Sequence, residues 1–237
     1  MSRIFALSNT AGGVGRTTSA LSMAVAFSEY GKKVLLVDLD PQGALTFTLG
    51  KENSRRSAYD IFSGRERALG MIHQTGERVD LIPSSHKLSV LLNAKDMKND
   101  QILFNALEKF EYDVIIIDTG ASMSRLNQLV FSTADEVFIP TRLDVIAVRG
   151  ALEVASAVEK YRGKVRAVLP TMVESRSKHG QEMLTLLKEK FGKLVIEPGI
   201  PKSPLFFDAA VAGASLLNYR KASEISGLYR EITYDFL

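Results

Sequence analysis

The chain has 237 residues, a formal net charge of +3 and no cysteine, which excludes disulfides, cysteine zinc sites and cysteine-ligated iron–sulfur clusters. Hydrophobic residues make up 46% of the sequence, enough for one packed domain, which we expect to span residues 1–237. No apolar run approaches the ~20 residues that cross a bilayer, so we expect a soluble, cytoplasmic protein.

Apolar strands alternate with helices along the sequence. Strands are predicted over Arg3–Asn9, Lys32–Asp40, Glu77–Ser85, Tyr112–Gly120, Asp135–Thr141 and Lys164–Met172, with a short strand near Lys193–Pro198. Helices are predicted over Thr17–Gly31, Asn99–Phe110 and Lys221–Phe236. This alternation predicts an α/β fold: a doubly wound, mostly parallel sheet with helices on both faces.

The first strand runs into a glycine-rich segment, NTAGGVGRTTSA, over residues 9–20. Its glycines let the backbone curl tightly and turn N–H groups inward, and the following helix adds its positive N-terminal end. An empty strand–helix turn is the alternative interpretation. We expect a nucleotide phosphate site, with a Thr17 hydroxyl for Mg²⁺, built from Gly12, Gly13, Val14, Gly15, Arg16, Thr17 and Thr18.

Three aspartates also follow apolar strands. Asp38 and Asp40 close the second predicted strand, and Asp118 closes the most hydrophobic one. Ligands of parallel sheets bind at the carboxyl ends of the strands, where the glycine loop also lies. Strand-end capping is the alternative for each aspartate, but their convergence with the loop favours a ligand site.

Four segments together resemble the ParA family of deviant Walker-box ATPases: AGGVGRTT, LLVDLDPQG, DVIIIDTGAS and IPKSPLFFDAAVAGASLLNY. Their order and spacing agree from Arg3 to about Arg230. The resemblance implies a P-loop NTPase that binds ATP or ADP with Mg²⁺, forms an ATP-dependent homodimer, hydrolyses ATP weakly and binds nonspecific DNA. It also implies a ParB-like or other small adaptor that stimulates hydrolysis, and a cytoplasmic, nucleoid-associated protein.

The resemblance further assigns roles to single residues. Asp40 would orient the attacking water, and Arg16 would act with it on the phosphates. Asp38 and Asp118 would serve the metal together with the Thr17 hydroxyl. The base would lie against Thr171 and Met172 on one side and Pro201 and Lys202 on the other.

Two positions depart from the family pattern. Ala11 stands where the family carries its signature lysine, and Arg16 replaces the second lysine of the loop. Arginine keeps the charge, but its planar guanidinium is not interchangeable with an ammonium. Three interpretations are open: another cation serves instead (Arg149, Lys160 and Lys164 are the candidates), the protein binds nucleotide with little hydrolysis, or Ala11 is an engineered change.

Late in the chain, basic residues concentrate in LLKEKFGK and NYRKASE. The candidate DNA contacts are Lys188, Lys190, Lys193, Arg220, Lys221 and Arg230, with a solvated helix face as the alternative. The chain ends in REITYDFL, which suits an internal packing helix better than the basic membrane-targeting helix of MinD-like proteins. His73, His86 and His179 share no metal spacing and are expected on the surface or in loops.

The most consistent interpretation is an ATP-dependent dimeric switch that partitions or positions a plasmid, chromosome or protein cargo on DNA. The alternative is a nucleotide-binding module with little or no hydrolysis that acts through a protein partner.

Overall fold

A computed structural model describes residues 2–63, 68–92, 99–161, 163–220 and 223–237. Its strands are β1 (Arg3–Leu7), β2 (Val34–Asp38), β3 (His73–Gln74), β4 (Asp80–Ile82), β5 (Val114–Asp118), β6 (Glu136–Arg142) and β7 (Val165–Thr171). They form one seven-stranded sheet in the order β3-β4-β2-β5-β1-β6-β7. The β3–β4 pair is antiparallel and every other pair is parallel, which confirms the predicted fold class.

Helices lie between the strands, and further helices follow β7. They are α1 (Arg16–Glu29), α2 (Ala44–Thr48), α3 (Tyr59–Phe62), α4 (Ile102–Leu107), α5 (Arg125–Thr133), α6 (Val145–Lys160), α7 (Lys178–Phe191), α8 (Leu205–Val211), α9 (Leu216–Tyr219) and α10 (Glu224–Tyr234). Short 3₁₀ helices cover Ala68–Met71, His86–Leu91 and Gly192–Leu194. Among the described residues, no helix is both long and apolar enough to cross a membrane.

Two hydrophobic clusters cover the two faces of the sheet. Side chains alternate along each strand, so Ile115 and Ile117 of β5 join one cluster while Val114 and Ile116 join the other. Helices α3, α4, α5, α6 and α7 pack on the first face, and α1, α2, α9 and α10 pack on the second. The near-continuous apolar sequences of the central strands follow from this burial on both sides.

Two details of the predicted fold are wrong. The short strand near Lys193–Pro198 does not form, because a 3₁₀ turn occupies its start and only Val195 makes an isolated bridge to the edge strand, at Val168. Strand β3, at one edge of the sheet, was not predicted; its His73 is half-buried, and the Nε2 atom has no hydrogen-bond partner in the described structure. A two-residue strand carries no periodicity that a sequence pattern could detect.

Candidate nucleotide-binding site

Strand β5 lies between β1 and β2, and this order assembles the site. Asp38 is aligned with Asp118 in the β2–β5 register, and Leu7 is aligned with Asp118 in the β1–β5 register. The loop that follows β1 therefore emerges beside both aspartates, at the carboxyl edge of the sheet. This is the edge at which parallel sheets bind ligands.

The glycine loop turns through left-handed backbone conformations before α1 begins. Gly13 has φ +65° and Gly15 has φ +82°, a region that side chains with a Cβ rarely adopt. Gly12 and Gly13 are exposed, whereas Val14 is buried. No described side chain caps the N-terminus of α1, so no cap occupies the first backbone N–H groups of the helix. Such a terminus favours an anion.

Thr17 and Asp118 form the candidate metal site. The Thr17 hydroxyl donates to Asp118 Oδ2 at 2.7 Å. Asp118 Oδ1 is buried and has no hydrogen-bond partner in the described structure, an arrangement that is costly for a carboxylate. Burial, with the nearby Asp38 carboxylate, raises the pKa of Asp118 from 3.8 to about 8. A buried carboxylate oxygen that has no hydrogen-bond partner among the described residues, and that lies next to a hydroxyl, is a suitable ligand for a hard divalent cation.

No closed cage of three or more acidic or histidine side chains exists among the described residues. Mg²⁺ commonly keeps several waters and takes one or two protein oxygens together with substrate phosphates. The pair formed by Thr17 and Asp118 suits that mode of binding, since it provides two oxygens beside the phosphate loop.

Asp38 is held by hydrogen bonds from Thr46 and Asp40. Its Oδ2 accepts from the backbone N–H and the hydroxyl of Thr46, and its Oδ1 accepts from the Asp40 N–H. Burial raises the pKa of Asp38 to about 6 in spite of these bonds. Asp40 is only half-buried, and its carboxylate accepts from the Gln42 N–H at 2.9 Å. Of the two, Asp40 is the more accessible to water.

Arg16 lies inside the loop and not above it. Its Nη1 donates to the carbonyl oxygens of Asn9 and Ala11, and its Nε donates to the carbonyl oxygen of Thr119. Burial lowers the pKa of the guanidinium, opposed by the charges of Asp118 and Asp40. Of the five N–H groups of an arginine, three are thus directed at backbone oxygens. Sequence reasoning placed Arg16 at the site but did not predict these bonds.

Ala11 is buried in a small apolar cluster with Val14 and Ala147 of α6. The contact is close because α6 carries a glycine there: a Cβ on Gly150 would lie 2.3 Å from Asn9 Oδ1 and 3.0 Å from the Ala11 nitrogen. An alanine at position 11 therefore fits its surroundings, and the side chain points at α6.

The three residues that could supply the charge of the missing signature lysine lie at different places. Arg149 pairs with Glu153, and the second carboxylate oxygen of Glu153 accepts from the Thr10 hydroxyl, so Arg149 is held at the border of the loop. Lys160 is the last residue of α6, about 16 Å further along the helix axis. Lys164 precedes β7 and pairs with Glu136, at the opposite edge of the sheet.

A cavity of about 330 Å³ adjoins the loop where a base would lie. Thr171 and Met172 line it, with Lys202 and Phe206 opposite. The Thr171 hydroxyl donates to the Val14 carbonyl, which joins this wall to the phosphate loop. Met172 has φ +51°, an uncommon conformation for a residue with a side chain, and it is 42% exposed. Pro201 does not line the cavity but makes an isolated bridge with Val173.

The basic candidates are distributed over two sides of the molecule. Lys188, Lys190 and Lys193 lie at the end of α7 and in the following turn, on the first face, whereas Arg220 and Arg230 flank or occupy α10, on the second. Lys188 pairs with Glu197 and Arg230 pairs with Glu29. Lys190 and Lys193 are exposed and form no ion pair with a described residue. Lys221 lies outside the described residues.

Known proteins are similar to this chain in both fold and sequence. A protein-family model described as an AAA domain matches residues 2–171. The sporulation initiation inhibitor protein Soj of Bacillus subtilis is 30% identical over 98% of this chain and 97% of its own length. Cobyrinic acid a,c-diamide synthase from Mycobacterium smegmatis, solved with ADP and magnesium, is 28% identical with a TM-score of 0.84, covering 100% of this chain and 94% of that one. An ATP complex of McdA from Cyanothece shares the fold, with 24% identity and a TM-score of 0.87 over 99% of this chain and 95% of that one.

A glycine loop between β1 and α1, beside acidic residues at neighbouring strand ends, defines a P-loop NTPase. Within that class, the chain belongs to the ParA/Soj-like family of partition and positioning ATPases. The resemblance seen in the four sequence motifs is thereby confirmed.

Proposed function

We propose that the protein is an ATP-dependent dimeric switch that binds nonspecific DNA, hydrolyses ATP slowly and moves or positions a plasmid, chromosome or protein cargo. One observation carries the proposal: a buried oxygen of Asp118, beside the Thr17 hydroxyl and the phosphate loop, has no hydrogen-bond partner among the described residues. This oxygen is where a Mg²⁺ ion would complete the site with the phosphates of ATP or ADP. A small adaptor protein, ParB-like or otherwise, would stimulate hydrolysis over the nucleoid.

Each part of the site has one task in this proposal. The loop from Gly12 to Thr18 holds the phosphates through backbone N–H groups, and Thr171 and Met172 contact the base. Thr17 and Asp118 would hold Mg²⁺, which supplies charge neutralisation to phosphoryl transfer when it is bound. Asp40, the accessible carboxylate, orients the attacking water, while Asp38 fixes the backbone around Asp40.

For DNA we propose Lys190, Lys193, Arg220 and Lys221 as the main contacts. Lys188 and Arg230 already pair with glutamates, which reduces the charge that each can offer to a phosphate. A dimer that closes on ATP presents two copies of each group. Because log affinity falls with log salt by ~0.9 per neutralised phosphate, the dimer should bind more tightly and with a steeper salt dependence than the monomer.

Fluorescence anisotropy on two unrelated duplexes, at several salt concentrations and with ATP, ADP or no nucleotide, tests the DNA proposal. We expect affinity that is strong only with ATP, equal for both duplexes and steeply lost with salt. The double variants Lys190→Ala/Lys193→Ala and Arg220→Ala/Lys221→Ala should weaken binding and leave ATP affinity unchanged. The charge-matched control Lys87→Ala/Lys178→Ala should bind like the wild type. Affinity that is independent of ATP would contradict the proposal.

A second function, a nucleotide-dependent binding module with little or no turnover, is favoured by one observation. Arg16 directs three donors at the backbone, and Ala11 offers no charge, so fewer cations are available to the γ-phosphate than in a loop with two lysines. Turnover of ATP, measured with and without DNA, separates the two functions. Hydrolysis above the Asp40→Ala background supports the switch, and its absence beside intact ATP binding supports the module.

A further inference from the structure

Two hydroxyl side chains, Thr46 and Ser84, connect Asp38, at the end of β2, and Asp40, in the turn that follows, to the segment after β4. The Thr46 hydroxyl donates to Asp38 Oδ2 at 2.6 Å and accepts from the Ser84 N–H at 2.7 Å. The Ser84 hydroxyl donates to the carbonyl oxygen of Asp40. Neither Thr46 nor Ser84 is one of the glycines or acidic residues of the four sequence motifs. Ser84 lies two residues after the end of β4, at the same carboxyl edge of the sheet as Asp38.

The Ser84 bond differs from the other bonds of the Asp40 loop. The Asp40 carbonyl also accepts from the Gly43 N–H at 2.9 Å, and the Asp40 carboxylate accepts from the Gln42 N–H at 2.9 Å. Both bonds lie within one tight turn, so they fix the shape of the turn but not its position relative to the sheet. The Asp40 N–H also donates to Asp38 Oδ1 at the end of β2, and the Ser84 hydroxyl adds a second link, from the turn to the segment after β4.

Ser84 is itself well fixed. The Ser84 N–H donates to Thr46. In addition, the carbonyl oxygen of the preceding residue, Pro83, accepts a hydrogen bond from the Ala58 N–H at 2.8 Å. A Cβ on Gly43 would lie 3.6 Å from the Ser84 Cβ, so the turn packs directly against the serine. A rigid donor at this place can hold the turn in one position relative to the phosphate loop.

We propose that Ser84 is a positioning residue for hydrolysis, which fixes the backbone of Asp40 and thereby the place of its carboxylate. The inference rests on the proposed function, in which Asp40 orients the attacking water. Displacing a reacting group by about 1 Å can cost about 10²-fold in rate, so loss of a single positioning bond is measurable. ATP binding does not require the bond, because Ser84 contacts the turn and not the phosphate loop.

The test compares single-turnover hydrolysis of Mg²⁺-ATP with equilibrium binding of a fluorescent ATP analogue in the full-length chain. Ser84→Ala should lower the hydrolysis rate about five- to tenfold and change the Kd by less than about twofold. Ser84→Thr keeps the hydroxyl and should restore most of the rate. Ser85→Ala is the matched control, because Ser85 caps the next 3₁₀ helix through Lys87 and has no bond to the Asp40 turn.

Two comparisons separate failure of this inference from failure of the proposed function. If Asp40→Ala abolishes hydrolysis while Ser84→Ala matches the wild type, the positioning role is wrong and the function stands. If the wild type does not hydrolyse ATP above the Asp40→Ala background, the function fails. Hydrogen exchange then still decides the structural claim: Ser84→Ala should speed exchange of the Gln42 and Gly43 amides by more than about fivefold, and unchanged exchange overturns it.

Discussion

The guanidinium of Arg16 donates to the carbonyl oxygen of Thr119 over 2.9 Å, and this bond joins the phosphate loop to the end of β5. The same side chain holds the carbonyls of Asn9 and Ala11. Arg16 therefore shapes the loop before any nucleotide is present. A charged residue with this environment contributes to stability as well as to binding, and the two contributions can be separated by substitution.

Arg16→Ala should destabilise the fold by about 3 kcal/mol, because three carbonyl oxygens lose a charged donor. Arg16→Lys should cost less, since an ammonium can keep some of these bonds but has no second nitrogen to reach Thr119. Urea denaturation measures both. ATP affinity should be lost in the alanine variant and largely kept in the lysine variant. Equal stability of all three proteins would show that these bonds contribute little.

The pH dependence of stability follows from Asp118. Its folded pKa, about 8, exceeds the ordinary value of 3.8, so the folded chain retains a proton that the unfolded chain loses between these pH values. The contribution of Asp118 to the free energy of unfolding is therefore present below about pH 4 and is lost as the pH rises to about 8. Without nucleotide, Asp118→Asn should flatten the decline of Tm between pH 5 and pH 8. A decline identical to that of the wild type would contradict this assignment.

Binding of Mg²⁺-ATP at pH 7 should release protons for the same reason, because a metal ligand must be deprotonated. Calorimetry in buffers of different ionisation enthalpy measures the number released. Asp118→Asn should release fewer protons than the wild type. Equal proton release by the two proteins would exclude Asp118 as the source.

Gly150 allows α6 to approach the start of the phosphate loop. Gly150→Ala would place a Cβ within 3.0 Å of atoms of Asn9, Thr10 and Ala11. We expect a loss of about 1–3 kcal/mol in stability and weaker ATP binding, because the loop must shift. Gly227→Ala is the control: it lies within α10 with nothing within 4 Å, and should stabilise the protein by about 0.5–1 kcal/mol without affecting ATP. Identical effects of the two substitutions would contradict the close contact.

Asp40→Ala should separate binding from turnover. Among the described residues the Asp40 carboxylate bonds only within its own turn, so its loss should leave ATP affinity within about twofold of the wild type. Hydrolysis should fall by at least about 10²-fold, and the ATP-bound dimer should accumulate in size-exclusion chromatography. A variant that folds normally but no longer binds ATP would show that Asp40 holds the nucleotide.

The sheet, the glycine loop and the strand-end aspartates could be predicted because their signals are local. A buried parallel strand requires a short apolar run, and a phosphate loop requires glycines directly before a helix. The bond of Arg16 to Thr119, the close approach of Gly150 to the loop and the bridge from Ser84 to Asp40 could not be predicted, since each joins residues that are distant in sequence. The one signal for Ser84 is that it and Ser85 end the strand predicted over Glu77–Ser85, at the edge where parallel sheets bind ligands.

The most direct test of the central claim is equilibrium binding of ATP in the presence and absence of Mg²⁺. The account predicts saturable binding of ATP and ADP below millimolar concentration, strengthened by Mg²⁺ in the wild type, with that Mg²⁺ effect reduced in Asp118→Asn. No measurable binding at millimolar ATP with Mg²⁺, by a correctly folded chain, would contradict the nucleotide site and with it the ATP-dependent switch.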